Sequence, residues 1–260
     1  WKRSIRAEMM TFISLGVMSN GHTANELRDE GITSSPIPLK YVFKVKYTPL
    51  GEYIKHKSRL VLVGHPRYCL EGIHYQKSDV YACCPDTSII RLIMIFALLE
   101  GFGNTNFDCK SAYLQALKTE GKSIAMSHPK DFRSYSKNGE ELLSILLANL
   151  YGHPLAAAAW QKTLYDWILK RFNQDGWKAK ISHVDRGIIL LTSPPKDSSP
   201  NDPVTGENDG SNPIIMIVHS DDVDCYSEFE SERSFLAKEF DDQFGIVMGD
   251  PRYMLGVLRE

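Results

Sequence analysis

The chain has 260 residues, of which 43% are hydrophobic, 24% charged and 10% aromatic. These values lie in the ordinary globular range and argue against a disordered chain, a collagen-like repeat and a disulfide scaffold. The longest apolar run, Leu92–Leu99, falls well short of the ~20 residues of a membrane span, and residues 1–20 carry charges where a signal peptide is apolar. We therefore expect no membrane partner, and because the chain begins with Trp1 we expect a segment of a longer protein.

The five cysteines are odd in number, and no two of them form a Cys-x-x-Cys pair. This pattern argues against structural zinc and against an oxidised framework, and it favours a reducing, intracellular environment. We expect small buried hydrophobic side chains at Cys69, Cys83, Cys84, Cys109 and Cys225.

Basic and acidic residues are unevenly distributed along the chain. The formal net charge is −2, which taken alone argues mildly against a nucleic-acid partner. Between Ile37 and Leu70, however, seven basic residues stand against one acidic residue, whereas from Asp197 to Glu260 four basic residues stand against fifteen acidic ones. This asymmetry indicates one surface for phosphates and one site for cations; two solvated faces of opposite sign are the alternative.

The first part of the chain is predicted to contain two helices and a hairpin. Lys2–Met18 has apolar residues at helical spacing, and Lys40–Val63 has two strand patterns separated by turn residues. Pro85–Ser88 offers helix-capping residues for an apolar helix that ends at Leu99. A short strand ending at Asp108 follows.

The second part is predicted to mix helices and strands without regular alternation. Pro154–Phe172 contains four consecutive alanines and predicts a helix, as does the amphipathic segment Glu228–Phe244. Gly187–Thr192 and Ile214–Val218 are apolar, β-branched runs of strand length. Between them, Ser193–Pro213 is polar and rich in proline, and we expect a long, mobile hairpin tip. The fold class predicted from this mixture is α+β.

Two adjacent aspartates follow the most apolar strand. Asp221 and Asp222 come directly after Ile214–His219, so we expect them at a hairpin tip held by a buried strand. Neighbouring carboxylates repel each other unless a cation neutralises them, and oxygen ligands suit Mg²⁺. The pair Asp241–Asp242 provides a contrast, because it lies in a polar helical segment and is predicted to be a solvated face.

A third carboxylate, Asp108, ends the earlier strand and is predicted to join the first two. Three carboxylates from two strands are typical of a two-metal phosphoryl-transfer site. In that site Lys57 and Arg59 of the basic hairpin would neutralise triphosphate charge. Tyr113 would wall a nucleotide pocket, with core packing as the alternative.

Several short motifs occur in a fixed order along nearly the whole chain. They are Trp1 with Ala7 and Glu8, Lys40–Lys44, Lys57–Val61, Gly72–Tyr75, Phe107–Leu114, Ile124–Pro129 with Phe132, Leu150–Gly152 with Ala159–Trp160, Ser220–Asp222, and Tyr253–Gly256. In this order they resemble the reverse transcriptase domain of copia-type LTR retrotransposons, which is a part of the Pol polyprotein.

The resemblance implies the fingers and palm of a right-hand polymerase. It places the fingers at about 36–100 and the palm mainly at 101–260, with the mobile loop at 193–213 and the thumb largely beyond Glu260. It implies two Mg²⁺ ions, with Mn²⁺ as a substitute, held by the catalytic residues Asp108, Asp221 and Asp222. Without a thumb, residues 1–260 are expected to extend primers weakly or not at all.

The resemblance also assigns binding roles. It implies that the nucleotide is bound by Lys57, Arg59, Tyr113 and Cys109, and that Tyr113 discriminates against a 2′-hydroxyl. It implies that the template and primer are contacted by Tyr151, Gly152, His219 and Ser220. The implied partners are an RNA or DNA template with its primer, deoxynucleoside triphosphates, and the RNase H and integrase parts of the polyprotein. The implied location is a cytoplasmic particle or the nucleus.

The sequence departs from the family pattern at several positions. His219 and Ser220 replace Tyr and Val, His153–Leu155 replaces Leu-Lys-Gln, and Ala157 and Ala158 replace Pro-Arg. Losing that Lys and Arg removes two cations expected near template and nucleotide, and each lost phosphate contact weakens binding. A catalytically silent remnant that binds nucleic acid or protein is therefore the alternative function. A two-metal nuclease is a third candidate, but it gives no role to Tyr113 or the basic hairpin.

Overall fold

The computed structural model describes residues 1–48, 50–116, 123–194 and 213–249, with the backbone of 253–254 and 257–258. The helices are α1 Lys2–Ser14, α2 Ala24–Asp29, α3 Thr87–Leu99, α4 Ala112–Gln115, α5 Ala156–Arg171 and α6 Glu230–Phe244. The strands are β1 Met18–His22, β2 Ile37–Tyr47, β3 Tyr53–Leu62, β4 Gly103–Cys109, β5 Ile124–Ser127, β6 Ser134–Tyr135, β7 Glu141–Leu146, β8 Lys178–Ile181, β9 Ile188–Thr192, β10 Ile214–His219, β11 Asp222–Ser227, β12 Ile246–Met248, β13 Tyr253–Met254 and β14 Val257–Leu258.

The chain forms two compact units, and together they confirm the predicted mixed α+β class. The first unit is Trp1–Tyr81 with Tyr113–Trp160, and the second is Ala82–Ala112 with Gln161–Glu260. The assignment of residues 36–100 to the fingers and of 101–260 mainly to the palm stays a prediction. In the described residues, no helix is both long and apolar enough to cross a membrane.

The first unit is built on a sheet with strand order β1-β7-β5-β2-β3, and β6 pairs with β7. Within it β2 and β5 run parallel, and the other pairs are antiparallel. Helix α1 packs on β3, where the Glu8 carboxylate accepts a hydrogen bond from the Leu60 N–H at 3.1 Å. Phe12 and Val17 are buried with Leu60 and Leu62 in one apolar cluster. The hydrophobic core of this unit therefore fixes the inner half of the hairpin.

The second unit contains an antiparallel sheet with strand order β12-β4-β11-β10-β9-β8. One face carries Ile215, Ile217 and Tyr226, which are buried against α3. On the other face Phe107 of β4 lies 4.9 Å from Phe240 of α6, measured between ring centroids. Because apolar layers cover both faces, β10 and β11 are held rigidly up to the turn that joins them.

Several predicted elements are confirmed, with shifted ends. The hairpin, α3, α5, α6, β4, β9 and β10 are all present. The first helix was predicted to reach Met18 but ends at Ser14, because Gly16 has a φ of 59° and Met18 pairs with Leu146 in the sheet. Most of the predicted loop at 193–213 lies outside the described residues.

The cysteines are free thiols in the structure. Cys69, Cys109 and Cys225 are buried, as predicted, whereas Cys83 is half-buried and Cys84 is exposed. The prediction of a buried side chain is therefore wrong for Cys84.

Candidate active site

Asp108 and Asp222 are direct neighbours across two strands. Strands β4 and β11 are antiparallel, and their register pairs Asp108 with Asp222. Residues directly opposite each other in an antiparallel pair project from the same face of the sheet. The two predicted catalytic carboxylates, 114 positions apart in a chain of 260 residues, therefore share one face.

Asp221 lies in the turn between β10 and β11. His219 pairs with Asp222, which leaves Ser220 and Asp221 as the two turn residues. Ser220 has a φ of 59°, in the left-handed region that tight turns require. The Cys109 N–H donates a hydrogen bond to the Asp221 carbonyl oxygen at 2.8 Å, which ties the turn to the end of β4. Asp222 follows as the first residue of β11, so both aspartates lie at the tip of the β10–β11 hairpin.

The three acidic residues interact electrostatically. Burial raises the pKa of Asp222 to about 6, and the negative charges of Asp221 and Asp108 add to the shift, whereas His219 opposes it. Asp108 is exposed, while Asp221 and Asp222 are half-buried. The strands therefore hold carboxylates close enough for their repulsion to perturb a titration, and a bound cation would relieve that repulsion.

The donor set fits a hard divalent cation. Carboxylate oxygens are the ligands of Mg²⁺, which commonly uses one or two of them and completes its shell with water and phosphate oxygens. In the part of the chain that the structure describes, no three His, Cys, Asp or Glu side chains form a group that could by itself hold a metal ion. Asp108, Asp221 and Asp222 thus offer suitable ligands without forming a closed metal cage.

A buried carboxylate that the sequence prediction missed lies beside this site. Asp224 is 0% exposed, and it follows Asp222 by two residues on β11, so both project from the same face. The Asn104 side-chain amide lies 3.5 Å from its Oδ1, and its charge also raises the pKa of Asp222. The alternation of aspartates at positions 222 and 224 was the available sequence signal, because a strand repeats its facing every two residues.

Cys109 packs inside the second unit. Its side chain is 1% exposed, and it alternates with Asp108 along β4, so it projects from the opposite face. Burial raises the pKa of the thiol to about 12, with further contributions from Asp108, Asp221 and Asp222. Its observed contacts are core packing and the backbone hydrogen bond to Asp221, and nucleotide binding by Cys109 stays a prediction.

In the first unit, three predicted binding residues from separate motifs lie together. The Arg59 guanidinium carbon is 5.0 Å from the centre of the Tyr151 ring, a distance typical of a cation–π contact. Tyr151 and Tyr113 have ring centroids 5.5 Å apart. Tyr113 is half-buried, so the core-packing alternative holds only in part. Lys57 lies two residues before Arg59 on β3 and therefore projects from the same face.

Only glycine fits at position 152 without strain. The Leu62 N–H donates a hydrogen bond to the Tyr151 carbonyl oxygen at 2.8 Å, so the end of β3 runs against this loop. Gly152 has a φ of 85°, and a Cβ there would collide with the Leu62 carbonyl oxygen. Its neighbour His153 is 7% exposed, and burial lowers the pKa of that imidazole to about 4. Gly152 thus anchors the hairpin, and its predicted template contact stays a prediction.

The predicted site residues therefore fall into two groups. Asp108, Asp221 and Asp222 are in the second unit, with His219 and Ser220 of the turn. The other group, in the first unit, contains Lys57, Arg59, Tyr113, Tyr151 and Gly152.

Comparison of the sequence with protein-family models matches residues 25–187 to the family described as reverse transcriptase (RNA-dependent DNA polymerase). The chain belongs to this family, which is typical of copia-type retrotransposons. The matched segment includes Asp108, Tyr113 and Tyr151 and ends before Asp221 and Asp222. No curated protein matches the chain.

Proposed function

We propose that this chain is the fingers and palm of an RNA-directed DNA polymerase that adds nucleotides to a primer 3′-hydroxyl. The observation that carries the proposal is the register of β4 with β11, which pairs Asp108 with Asp222 beside the Asp221 turn. Membership of the reverse transcriptase family supports the reaction class. In this proposal the second unit is the palm and the hairpin of the first unit belongs to the fingers.

Asp108, Asp221 and Asp222 are the residues that would hold two divalent ions, Mg²⁺ or Mn²⁺. Bound metal would activate the primer hydroxyl and neutralise charge on the triphosphate. Asp222 has a pKa of about 6, so at pH 7 and above its carboxylate is ionised and ready to act as a ligand. On acidification through pH 6 a proton competes with the metal, and we expect activity to fall in that range.

The first unit supplies the groups for the incoming nucleotide. Lys57 and Arg59 would neutralise its triphosphate, since charge-assisted hydrogen bonds to phosphate oxygens are strong. The Tyr151 ring restrains the Arg59 guanidinium from one side. Tyr113, which contacts the same ring, would wall the sugar side of the nucleotide and exclude a 2′-hydroxyl.

The wider biological setting is part of the proposal. We propose an RNA or DNA template with its primer and deoxynucleoside triphosphates as substrates, and the RNase H and integrase regions of a copia-type Pol polyprotein as covalent partners. The corresponding location is a cytoplasmic particle or the nucleus.

A catalytically silent domain that binds nucleic acid or protein is the second candidate. Ala157 and Ala158 are half-buried at the start of α5, where the family pattern has Pro-Arg, so a cation is missing there. Loss of a phosphate contact at these positions weakens the affinity for a nucleic acid without disturbing the fold.

Metal-dependent nucleotide addition on a primed RNA template separates the two candidates. The assay compares the parent chain, extended through the region that follows residue 260, with Asp221→Asn and Asp242→Asn in the same extended chain. Asp242 is an exposed acid on α6, 3.3 Å from Lys238, and serves as the matched control. The polymerase proposal expects activity in the parent and in Asp242→Asn and its loss in Asp221→Asn. Equal residual activity in all three would favour the silent domain.

A further inference from the structure

Helix α3 is apolar on two opposite sides. On the inner side Ile90 and Ala97 are buried against the sheet of the second unit, in one cluster with Ile217. On the outer side large apolar side chains are between 39% and 79% exposed to solvent; they are Leu92, Ile95, Phe96, Leu98 and Leu99. A helix that is apolar all round is normally buried on every side. In the described part of the chain, the outer side of α3 is instead open to solvent.

Most of the exposed side chains of α3 form one continuous stripe along the helix. Their spacing is i, i+3, i+4 and i+7, which at 3.6 residues per turn is a single helix face. This outer stripe consists of Leu92, Ile95, Phe96 and Leu99. The nearest charged residues, Arg91 and Glu100, are nine positions apart and therefore lie on opposite flanks of the stripe. The stripe is thus uninterrupted by charge.

The other long helices of the second unit have polar outer faces. On α5 the exposed Lys162 and Asp166 form an ion pair, and on α6 the exposed Lys238 and Asp242 lie 3.3 Å apart. Such pairs four residues apart are typical of a helix face in water. A contiguous exposed apolar face marks an interaction surface more often than a solvated one. The outer stripe therefore distinguishes α3 as a surface that another molecule covers.

The outer stripe is complementary to a second copy of itself. Its residues are separated by three, one and three positions, a spacing that is the same in both directions. A two-fold axis between Ile95 and Phe96 relates two antiparallel helices and places Leu92 of each copy opposite Leu99 of the other. Leu98 lies on the same side of the pair in both copies and widens the contact. No charge is buried in this arrangement, because Arg91 and Glu100 remain on the flanks.

The exposed area is sufficient for a weak dimer. A fully accessible large apolar side chain exposes on the order of 150 Å², so the exposed fractions on α3 amount to about 500 Å² on each copy. Two copies would bury roughly 1,000 Å² in total, which is the lower limit of specific protein interfaces. An interface of that size corresponds to a reversible association in the micromolar range rather than to an obligate dimer.

We propose that two copies of the chain associate through their α3 helices, packed antiparallel with the outer stripes in contact. A second copy fits the stripe better than a charged partner does, because the stripe has no group that pairs with a phosphate or a carboxylate. The association needs neither the carboxylates around the β10–β11 turn nor a metal ion. It therefore holds whether or not the domain polymerises.

Sedimentation velocity of the full chain, from about 1 to about 200 μM, measures the association. The double variant Leu92→Gln/Leu99→Gln is compared with Leu50→Gln/Val184→Gln, which changes two apolar side chains that are 90% and 82% exposed outside α3. We expect a dimer in the parent and in the control, and a dissociation constant on the order of a hundredfold higher in the stripe variant. Thermal unfolding of each variant checks that the fold is intact.

A charge-exchange experiment tests the antiparallel register. Leu92→Lys and Leu99→Glu should each weaken association about tenfold or more, because each places a charge against an apolar side chain. In an equimolar mixture the introduced lysine meets the introduced glutamate, and the two unchanged leucines meet at the other end. The mixture should therefore associate about tenfold more tightly than either variant alone.

Four results would overturn the proposal. They are a parent chain that stays monomeric throughout, which would leave the stripe to a different protein; an open series of larger species in place of a closed dimer; equal weakening in the stripe and control variants; and no gain in the mixture. Asp221→Asn should dimerise like the parent, which separates this test from the polymerase test.

Discussion

The hairpin of the first unit and the carboxylate strands of the second both place like charges side by side, but in different surroundings. On the hairpin, lysines face each other in water, where each charge is solvated and screened. Around the β10–β11 turn the aspartates are partly buried, and the pKa of Asp222 rises to about 6. Repulsion between like charges therefore raises a pKa where the side chains are partly buried, and has little effect on titration where they are exposed to water. Both regions are suited to a ligand of opposite charge.

The largest expected effect is on catalysis. Asp222→Asn should reduce metal-dependent nucleotide addition by on the order of a thousandfold, since it removes a charged metal ligand. Steady-state primer extension by the extended chain measures this, with Asp242→Asn as the control. An equal loss of nucleotide addition in Asp222→Asn and Asp242→Asn would show that the carboxylates on β4 and β11 have no special role compared with an exposed acidic surface.

The second effect concerns the backbone that anchors the hairpin. Gly152→Ala should lower the free energy of unfolding by about 2 kcal/mol or more, because the new Cβ meets the Leu62 carbonyl oxygen at a left-handed residue. Ser220→Gly should be neutral or stabilising by up to about 1 kcal/mol, because glycine adopts the left-handed conformation without strain. Urea unfolding of both variants gives the two values. A tolerated Gly152→Ala would show that the hairpin is not anchored at this loop.

The third effect is the pH dependence of stability at Asp222. Its pKa is raised in the folded state, so its ionised carboxylate destabilises the fold above pH 6, and the penalty disappears as pH falls from about 6 towards 3.8. Asp222→Asn should therefore be more stable than the parent by roughly 1 to 2 kcal/mol at pH 7 to 8, after allowance for solvent screening. The difference should vanish near pH 4. Chemical unfolding at several pH values measures it, and a gain that is independent of pH would contradict the assigned charge repulsion.

The smallest effect is expected on the hairpin. Lys46→Gln should raise the free energy of unfolding by about 0.5 kcal/mol at low salt, because it removes repulsion with Lys55. Lys40→Gln is the control, since its cross-strand neighbour is the uncharged Val61. The gain should disappear at high salt, where surface charges are screened. If Lys46→Gln and Lys40→Gln raise the free energy of unfolding equally, the pairing of Lys46 with Lys55 causes no specific repulsion.

Local patterns were sufficient to predict the elements with strong periodicity. The hairpin and α5 followed from turn residues and helix formers, and α3 begins after Asp86, whose side chain accepts a hydrogen bond from the Ser88 N–H at 2.7 Å. Strands β1 and β5 were missed because each has only four or five residues, too few for a periodic signal. The parallel pairing of β5 with β2 depends on residues far apart in sequence, which no local pattern specifies.

The part of the candidate site that depends on a local pattern could be predicted, and the part that depends on distant pairing could not. The apolar run before Asp221 indicated a buried strand with acids at its end, and the structure has that strand. The direct pairing of Asp108 with Asp222 depends on the register of strands distant in the chain, and the burial of Asp224 depends on α3 covering that face of the sheet. Neither property belongs to a local stretch of sequence.

Binding of Mn²⁺, followed by the paramagnetic resonance signal of the free ion, tests the central claim that Asp108, Asp221 and Asp222 serve one cation site. The parent chain is compared with the three single Asp→Asn variants and with Asp242→Asn. We predict that each of the three variants weakens binding on the order of tenfold or more, because each removes a charged oxygen ligand, and that Asp242→Asn binds like the parent. Parent-like binding by Asp108→Asn alongside weak binding by Asp222→Asn would contradict the account.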